Sequence, residues 1–251
     1  MTFGGRARNS SCAAAAFLAA ALFGSAAFAA DEEAAASAEE RTASAPAAAS
    51  TAKRAHLASE EASREVRSIA DWVVDSNDHR DRPFIIVDKP HAKVFAFDRA
   101  GRLLGAAPAL LGLAIGDRMV AAGGGERESS ELRAQDKITP AGRFWAQLGR
   151  SARGEDVLWV DYDTGLSLHR VLTTKPEERR LQRLKTQKVS DNRISAGCIN
   201  VPKEFYEKVV APAFRSLVGV VYILPEAGSA RDLLKAYNVD DPPELRKTAT
   251  G

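Results

Sequence analysis

The sequence predicts a mainly β domain with a few helices. Three observations carry this. Short apolar runs separated by turn signals recur between residues 84 and 224, helical periodicity is confined to a few stretches, and 45% hydrophobic with 27% charged residues is an ordinary globular balance.

Residues 1–29 read as a secretory signal. Arg6 and Arg8 form a positive n-region, Cys12 to Phe23 an apolar h-region, and Ala27-Phe28-Ala29 a small-x-small cleavage site. The chain is therefore expected to be exported. Without Arg6 and Arg8 the chain holds 33 basic and 33 acidic residues. That near-neutral balance argues against a nucleic-acid binder. No later stretch is long and apolar enough to span a bilayer, so no stable membrane insertion is expected once the signal is cleaved.

Residues 30–56 are Ala-, Glu- and Ser-rich with Pro46 among them, too poor in large apolar groups for a core, and read as a spacer. Over 57–80 the period becomes helical: Ala62, Val66, Ile69, Ala70 and Val73 share a face, with Ser59, Glu60 and Glu61 suiting the N-terminus. Trp72 is expected to add to its packing on the domain that follows.

That domain is expected over 81–225. Phe84 to Val87, then Val94, Phe95 and Phe97, then Leu103 and Leu104 read as a meander of antiparallel strands with turns at Asp88 to His91 and Asp98 to Gly101. The stretch from Gly112 to Glu131, with Gly123 to Gly125, lacks the lysine or the glycine spacing of a phosphate-binding loop and reads as a flexible loop. Thr139 to Phe144 is a turn entering a strand, and Val157 to Val160 and Leu166 to Leu168 are further strands. A basic insert spans 170–193, with a helix start at Thr174 to Glu178. It is either a solvated helix with one apolar edge or a lid that meets anionic groups. A helix over 202–214 and a central strand at Gly219 to Leu224 close the domain. Residues 226–251 form a polar tail with a short helix at Leu233 and Leu234.

Cys198 is the cysteine left after signal removal. Export places it in an oxidising compartment, where an unpaired cysteine reads as a reactive thiol or an intermolecular bond. A buried inert cysteine is the other reading. Gly197 before it would allow close backbone approach, the amides of Gly197 and Cys198 would form an oxyanion hole, and the 202–214 helix N-terminus would favour the thiolate. Of the four histidines, His56 lies in the spacer, His79 in a polar loop and His91 in a turn. His169 ends a strand upstream of the cysteine and is the candidate base. No histidines are spaced as metal ligands and no Cys pair is present, so no metal or other cofactor is expected.

Ser195-Ala196-Gly197-Cys198-Ile199-Asn200 resembles the Ser/Thr-His-Gly-Cys-x-Asn signature of the L,D-transpeptidases, the YkuD-type catalytic domain of bacterial cell-wall enzymes. Phe84 to Lys89 looks like that domain's opening, Thr139 to Phe144 its Thr-Pro-x-Gly segment, and His169 its upstream histidine. The resemblance covers roughly residues 83 to 225, with several weak motifs in family order. It implies a β-sandwich-like fold with the cysteine in a groove and a ping-pong acyl transfer on peptidoglycan stem peptides. Cys198 would be the nucleophile and His169 the general base, with Ser195, Gly197 and Asn200 shaping the loop. The sequence departs from the pattern in three places: Ala196 replaces the signature histidine, Arg170 stands where a small residue is usual, and the basic insert lengthens the gap to Ser195. Arg193 and Arg170 are the candidate substrate-binding residues. Arg193 would read a stem-peptide carboxylate or make a surface salt bridge. A carboxypeptidase and a catalytically degenerate binding module are the alternatives.

Overall fold

The structure is a computed structural model that describes residues 51–118, 132–215 and 217–248. The signal segment, most of the spacer and the triple glycine lie outside the described residues.

The first helix, α1, spans Arg64–Ser76. It starts later than Ser59 because Ser63 is the cap: its side chain accepts the Val66 amide at 3.2 Å. Asn77 ends the helix in the left-handed conformation. Val66, Ile69, Ala70 and Val73 recur at helical spacing and are fully buried. Residues assigned to the spacer already belong to the packed chain. His56 bridges to Arg102, Arg54 pairs with Asp71, and the Lys53 amide binds Asp75.

The fold is mainly β, as expected. Strands β1 (Phe84–Asp88), β2 (Lys93–Phe97) and β3 (Leu103–Pro108) form the antiparallel meander. Strands β5 (Gly142–Arg150), β6 (Asp156–Asp161) and β7 (Leu166–Arg170) form a second. β10 (Gly219–Ile223) joins them, parallel to β1 and antiparallel to β5, and is buried throughout as its apolar run predicts. β9 (Ile199–Val201) adds in parallel to β7, giving one eight-stranded mixed sheet in the order β3-β2-β1-β10-β5-β6-β7-β9. Two very short strands, β4 (Leu111–Gly112) and β8 (Arg193–Ser195), pair beside it. Leu110 and Asn200 exchange two backbone hydrogen bonds of 2.8 and 2.9 Å, tying the chain after β3 to β9 at the far edge. The sheet thus almost closes on itself.

Strand alternation sorts the core into two sets. Phe84, Ile86, Phe95, Phe97, Val220 and Tyr222 pack with α1. Trp72 meets the Tyr222 ring edge-on at 6.2 Å. The alternate residues Ile85, Val87, Val94, Val221 and Ile223 pack against Leu158, Leu168, Ile199 and Val201 from the other half of the sheet. This second set is the sandwich-like interior, and it also receives the helical stretch after β9.

That stretch is α3 (Lys203–Phe205), a π turn (Tyr206–Val210) and α4 (Ala211–Phe214). Pro212 has no N–H to continue regular α-helical bonding, and the wide turn directly precedes it. The basic insert holds a 3-10 turn (Pro176–Glu178), α2 (Arg180–Arg183) and a second 3-10 turn (Val189–Asn192) in place of one helix. Arg179 breaks the run: its backbone is left-handed at φ +47°. The tail contributes α5 (Ala230–Leu234) and α6 (Pro243–Thr248). No helix among the described residues is long and apolar enough to cross a membrane.

Because Ile69 is fully buried between α1 and the sheet, Ile69→Ala is expected to cost about 2–5 kcal/mol. Urea unfolding of the mature protein checks this. An unchanged midpoint would mean that α1 is not part of the domain.

Candidate active site

The register of β7 and β9 builds the site. Leu168 pairs with Ile199 and His169 with Asn200. Cys198, just before β9, comes to rest against the residues that lead into β7. Ser167 Oγ is 3.5 Å from Sγ, and the thiol points at the Gly165 carbonyl oxygen, 3.6 Å away. Cys198 is free and partly exposed.

His169 Nδ1 is 2.7 Å from the Arg170 carbonyl oxygen. A carbonyl only accepts, so Nδ1 carries the proton and Nε2 is left for the thiol. Each of the two side chains is the other's strongest stabilising neighbour. Burial pushes the Cys198 thiol up, but the His169 imidazole, with the Ser167 hydroxyl and amide, brings it below the ordinary thiol value. Burial likewise pushes His169 down, and the Cys198 sulfur with the Arg170 carbonyl raises it above the ordinary imidazole value. Shifts in these opposite directions favour a thiolate beside an imidazolium.

The loop that presents Cys198 is held at each peptide. Gly197 has φ +133°, and a Cβ there would lie 2.8 Å from the Ile138 carbonyl oxygen, so the position requires glycine. Thr139 Oγ1 donates to the Gly197 carbonyl at 2.7 Å and accepts the Gly112 amide at 2.8 Å. Ser195 Oγ accepts the Gly197 amide at 3.1 Å and donates to the Cys198 carbonyl at 2.7 Å. Asn200 Nδ2 reaches the same carbonyl at 3.2 Å. Ser195, Gly197, Asn200, Cys198 and His169 are therefore brought together.

Two expectations about this loop are corrected. The Gly197 amide is taken up by Ser195 and is not a free oxyanion donor, whereas the Cys198 amide makes no hydrogen bond among the described residues. The helix N-terminus does not adjoin the thiol either. All of β9 intervenes, about 10 Å of extended chain, and a helix terminus acts only over its first turn. The thiol is tuned by His169 and Ser167 instead.

Both arginines expected to bind substrate are engaged internally. Arg170 grips Asp156 at 3.1 and 3.2 Å, pairs with Glu207 at 2.9 Å and stacks 4.4 Å over the Tyr206 ring. Arg193 is 9% exposed, donates to the Lys89 carbonyl at 2.8 Å and pairs with Glu226 at 2.8 Å. It makes a buried bridge, not a surface one. Beside it the fully buried Lys89 donates to Asp117 at 2.7 Å, and to the carbonyls of Gly116 at 2.7 Å and Thr139 at 2.9 Å. Burial holds Lys89 below the ordinary lysine value, against the pull of Asp117 and Glu226. This buried cluster anchors the Thr139 segment that pins Gly197. Of the other histidines, His79 is buried against the Val73 and Arg99 carbonyls and His91 binds Asp88.

Sequence reasoning missed two site residues. Ser167 sits in the apolar run before His169, and only the strand register shows that it faces the thiol. Arg180, in the basic insert, donates to Asn200 Oδ1 at 2.7 Å. The left-handed turn at Arg179 that delivers it costs a non-glycine residue about 1–2 kcal/mol.

No family model matches the chain, and no curated protein matches it. Among solved structures it is similar to the helical cell shape determining protein Pgp2 from Campylobacter jejuni, in its K307A mutant, at 14% identity and a TM-score of 0.41, covering 71% of this chain and 59% of that one. It is also similar to the LD transpeptidase LdtMt1 in complex with imipenem, at 16% identity and 0.32, covering 57% and 58%. A fused Zn-dependent amidase/peptidase/peptidoglycan-binding domain-containing protein from Clostridium acetobutylicum matches at 15% and 0.33, covering 60% and 56%. The chain thus spans less than three fifths of the length of each of these. Likenesses this distant carry no argument about chemistry, which rests on the site itself.

Removing Arg193 would leave the mostly buried Glu226 carboxylate with only the more distant Lys89 ammonium, 3.8 Å away, and would unmake the bond to the Lys89 carbonyl. Arg193→Ala is expected to cost about 3–5 kcal/mol of stability, read by chemical denaturation. A variant of undiminished stability that had lost only substrate affinity would restore Arg193 to a binding role.

Proposed function

We propose that the chain is a cysteine acyltransferase of the L,D-transpeptidase type, exported to the periplasm or cell wall and acting on peptidoglycan stem peptides. The observation that carries this is the Cys198–His169 pair, with Nδ1 of His169 committed to the Arg170 carbonyl, so that Nε2 is the nitrogen left to take the thiol proton. The likeness of residues 195–200 to the family signature supplies the substrate class.

The chemistry follows from the geometry. The Cys198 thiolate attacks the carbonyl carbon that precedes the terminal D-residue of a stem tetrapeptide, and the carbonyl π electrons move to oxygen. The Cys198 amide, which makes no hydrogen bond among the described residues, would donate to that oxyanion. Collapse breaks the C–N bond, the His169 imidazolium protonates the leaving nitrogen, and D-alanine departs, leaving a thioester. Neutral His169 then takes a proton from the acceptor amine, which attacks the thioester and expels the thiolate. Water in the acceptor position would make the enzyme an L,D-carboxypeptidase. Ala196 removes one support of the loop but neither member of the reacting pair, which favours activity over a degenerate binding module. The Tyr162–Gly165 turn adjoins the thiol through the Gly165 carbonyl, and the Leu113 amide binds the Ser195 carbonyl at 2.9 Å at the start of the cysteine loop.

Incubating the mature protein with disaccharide tetrapeptide and weighing both the products and the intact protein tests the proposal. The expected result is an acyl adduct on Cys198 with release of D-alanine, lost in Cys198→Ala and slowed about 10²–10⁴-fold in His169→Gln. Product masses separate crosslinking from hydrolysis. A folded protein with a titratable thiol and no adduct would reject the enzyme reading in favour of the binding module.

A further inference from the structure

The segment between β7 and β8 sends Arg180 inward, although its run of basic residues reads as solvated surface. The Arg180 side chain is 16% exposed. Leu184, one turn on, is buried. Arg183 fastens the same turn by donating to the backbone carbonyls of Glu178 and Asp191, each at 2.9 Å. The left-handed backbone at Arg179 points the next side chain at β9. There Arg180 Nη1 meets Asn200 Oδ1 at 2.7 Å, while its Nε pairs with Glu178. Asn200 passes the contact on, since its Nδ2 holds the Cys198 carbonyl. It is also the register partner of His169 across the β7–β9 ladder.

We propose that Arg180 is a positioning residue of the cysteine site: its guanidinium locks the Asn200 carboxamide onto the Cys198 carbonyl, and so fixes the peptide unit that carries the nucleophile. An amide side chain can present either end to a neighbour. The cation decides the orientation, because it accepts only the oxygen end and so directs the NH₂ group to the Cys198 carbonyl. Ala196, with only a methyl group, has no polar side chain to brace this loop. The insert thereby becomes part of the site, and its guanidinium, salt-bridged through Nε to Glu178, turns its Nη1 face toward Asn200 on one side of the Cys198–His169 pair. The charged or titrating groups that act on His169 are Cys198 and Arg180. Arg170, adjacent in sequence, is neutralised by Asp156 and Glu207.

This inference deepens the acyl-transfer reading, but its test does not depend on it. The pH dependence of Cys198 alkylation by iodoacetamide is measured for the native protein, Arg180→Ala and Arg180→Lys, alongside kcat and KM for D-alanine release. A nearby cation favours loss of a proton from both members of the pair. Its removal in Arg180→Ala should therefore move both limbs of the alkylation profile to higher pH. Arg180→Lys keeps the charge and should return the limbs, but it recovers the rate only in part, because an ammonium cannot reproduce the planar fork. With substrate, kcat of Arg180→Ala should fall about 10- to 100-fold with KM little changed, the mark of a misplaced nucleophile. A folded Arg180→Ala with the native alkylation profile overturns the proposal. Should Arg180→Ala not fold, Arg180→Lys decides alone: native limbs with a reduced rate support the proposal, and a fully native rate contradicts it. If the native protein releases no D-alanine, the acyl-transfer reading fails, while the alkylation profiles still decide the role of Arg180.

Discussion

Leu168 pairs with Ile199 and His169 with Asn200 across the parallel β7–β9 ladder, and this register places Cys198 against Ser167 with the imidazole beside the thiol. Strand faces alternate, so a slip of one residue would turn His169 to the other face and dissolve the pair. The surrounding structure secures that register. Leu168, Ile199 and Val201 are buried in the sandwich-like interior, so a slip would also expose apolar side chains. The two-bond exchange between Leu110 and Asn200 fastens the outer edge of β9, which would otherwise be an open strand edge next to Cys198.

The cysteine loop is stiff for a different reason: its polar groups bind one another in a closed set. Thr139 takes the Gly197 carbonyl, Ser195 the Gly197 amide, and Ser195 and Asn200 together the Cys198 carbonyl. The Cys198 amide is left over. Among the described residues the Gly197 peptide and the Cys198 carbonyl are held, while the Cys198 amide makes no hydrogen bond and would be a donor for developing charge. The buried Lys89, Asp117, Glu226 and Arg193 cluster extends this support to the Thr139 segment and to the start of β8.

How much of this was legible in the sequence follows from the range of each interaction. Apolar runs such as Phe84 to Val87 and Gly219 to Ile223 announce buried strands because burial on both faces demands them. The pairing of His169 with Cys198 was legible as chemistry, a lone exported thiol and a strand-ending histidine, but not as distance. Where two local signals competed, the one nearer the apolar period won, as with Ser63 over Ser59 at the start of α1. β4 and β8 are too short to show a period. The bridge from Arg193 to Glu226 spans 33 positions and leaves no local trace. Arg180 was hidden because a charge run reads as solvated, and the left-handed Arg179 backbone that turns this side chain inward has no glycine to announce it.

The central claim is that Cys198 and His169 form a thiolate–imidazolium pair. Titrating the thiolate by its ultraviolet absorbance, in the native protein and in His169→Gln, tests it directly. The imidazole holds the thiol below its ordinary range and burial alone would raise it. The native protein should therefore form thiolate at a pH below that of a free cysteine, about 8.5. His169→Gln should form it only at or above that value. Coincident curves for the two proteins would contradict the pair.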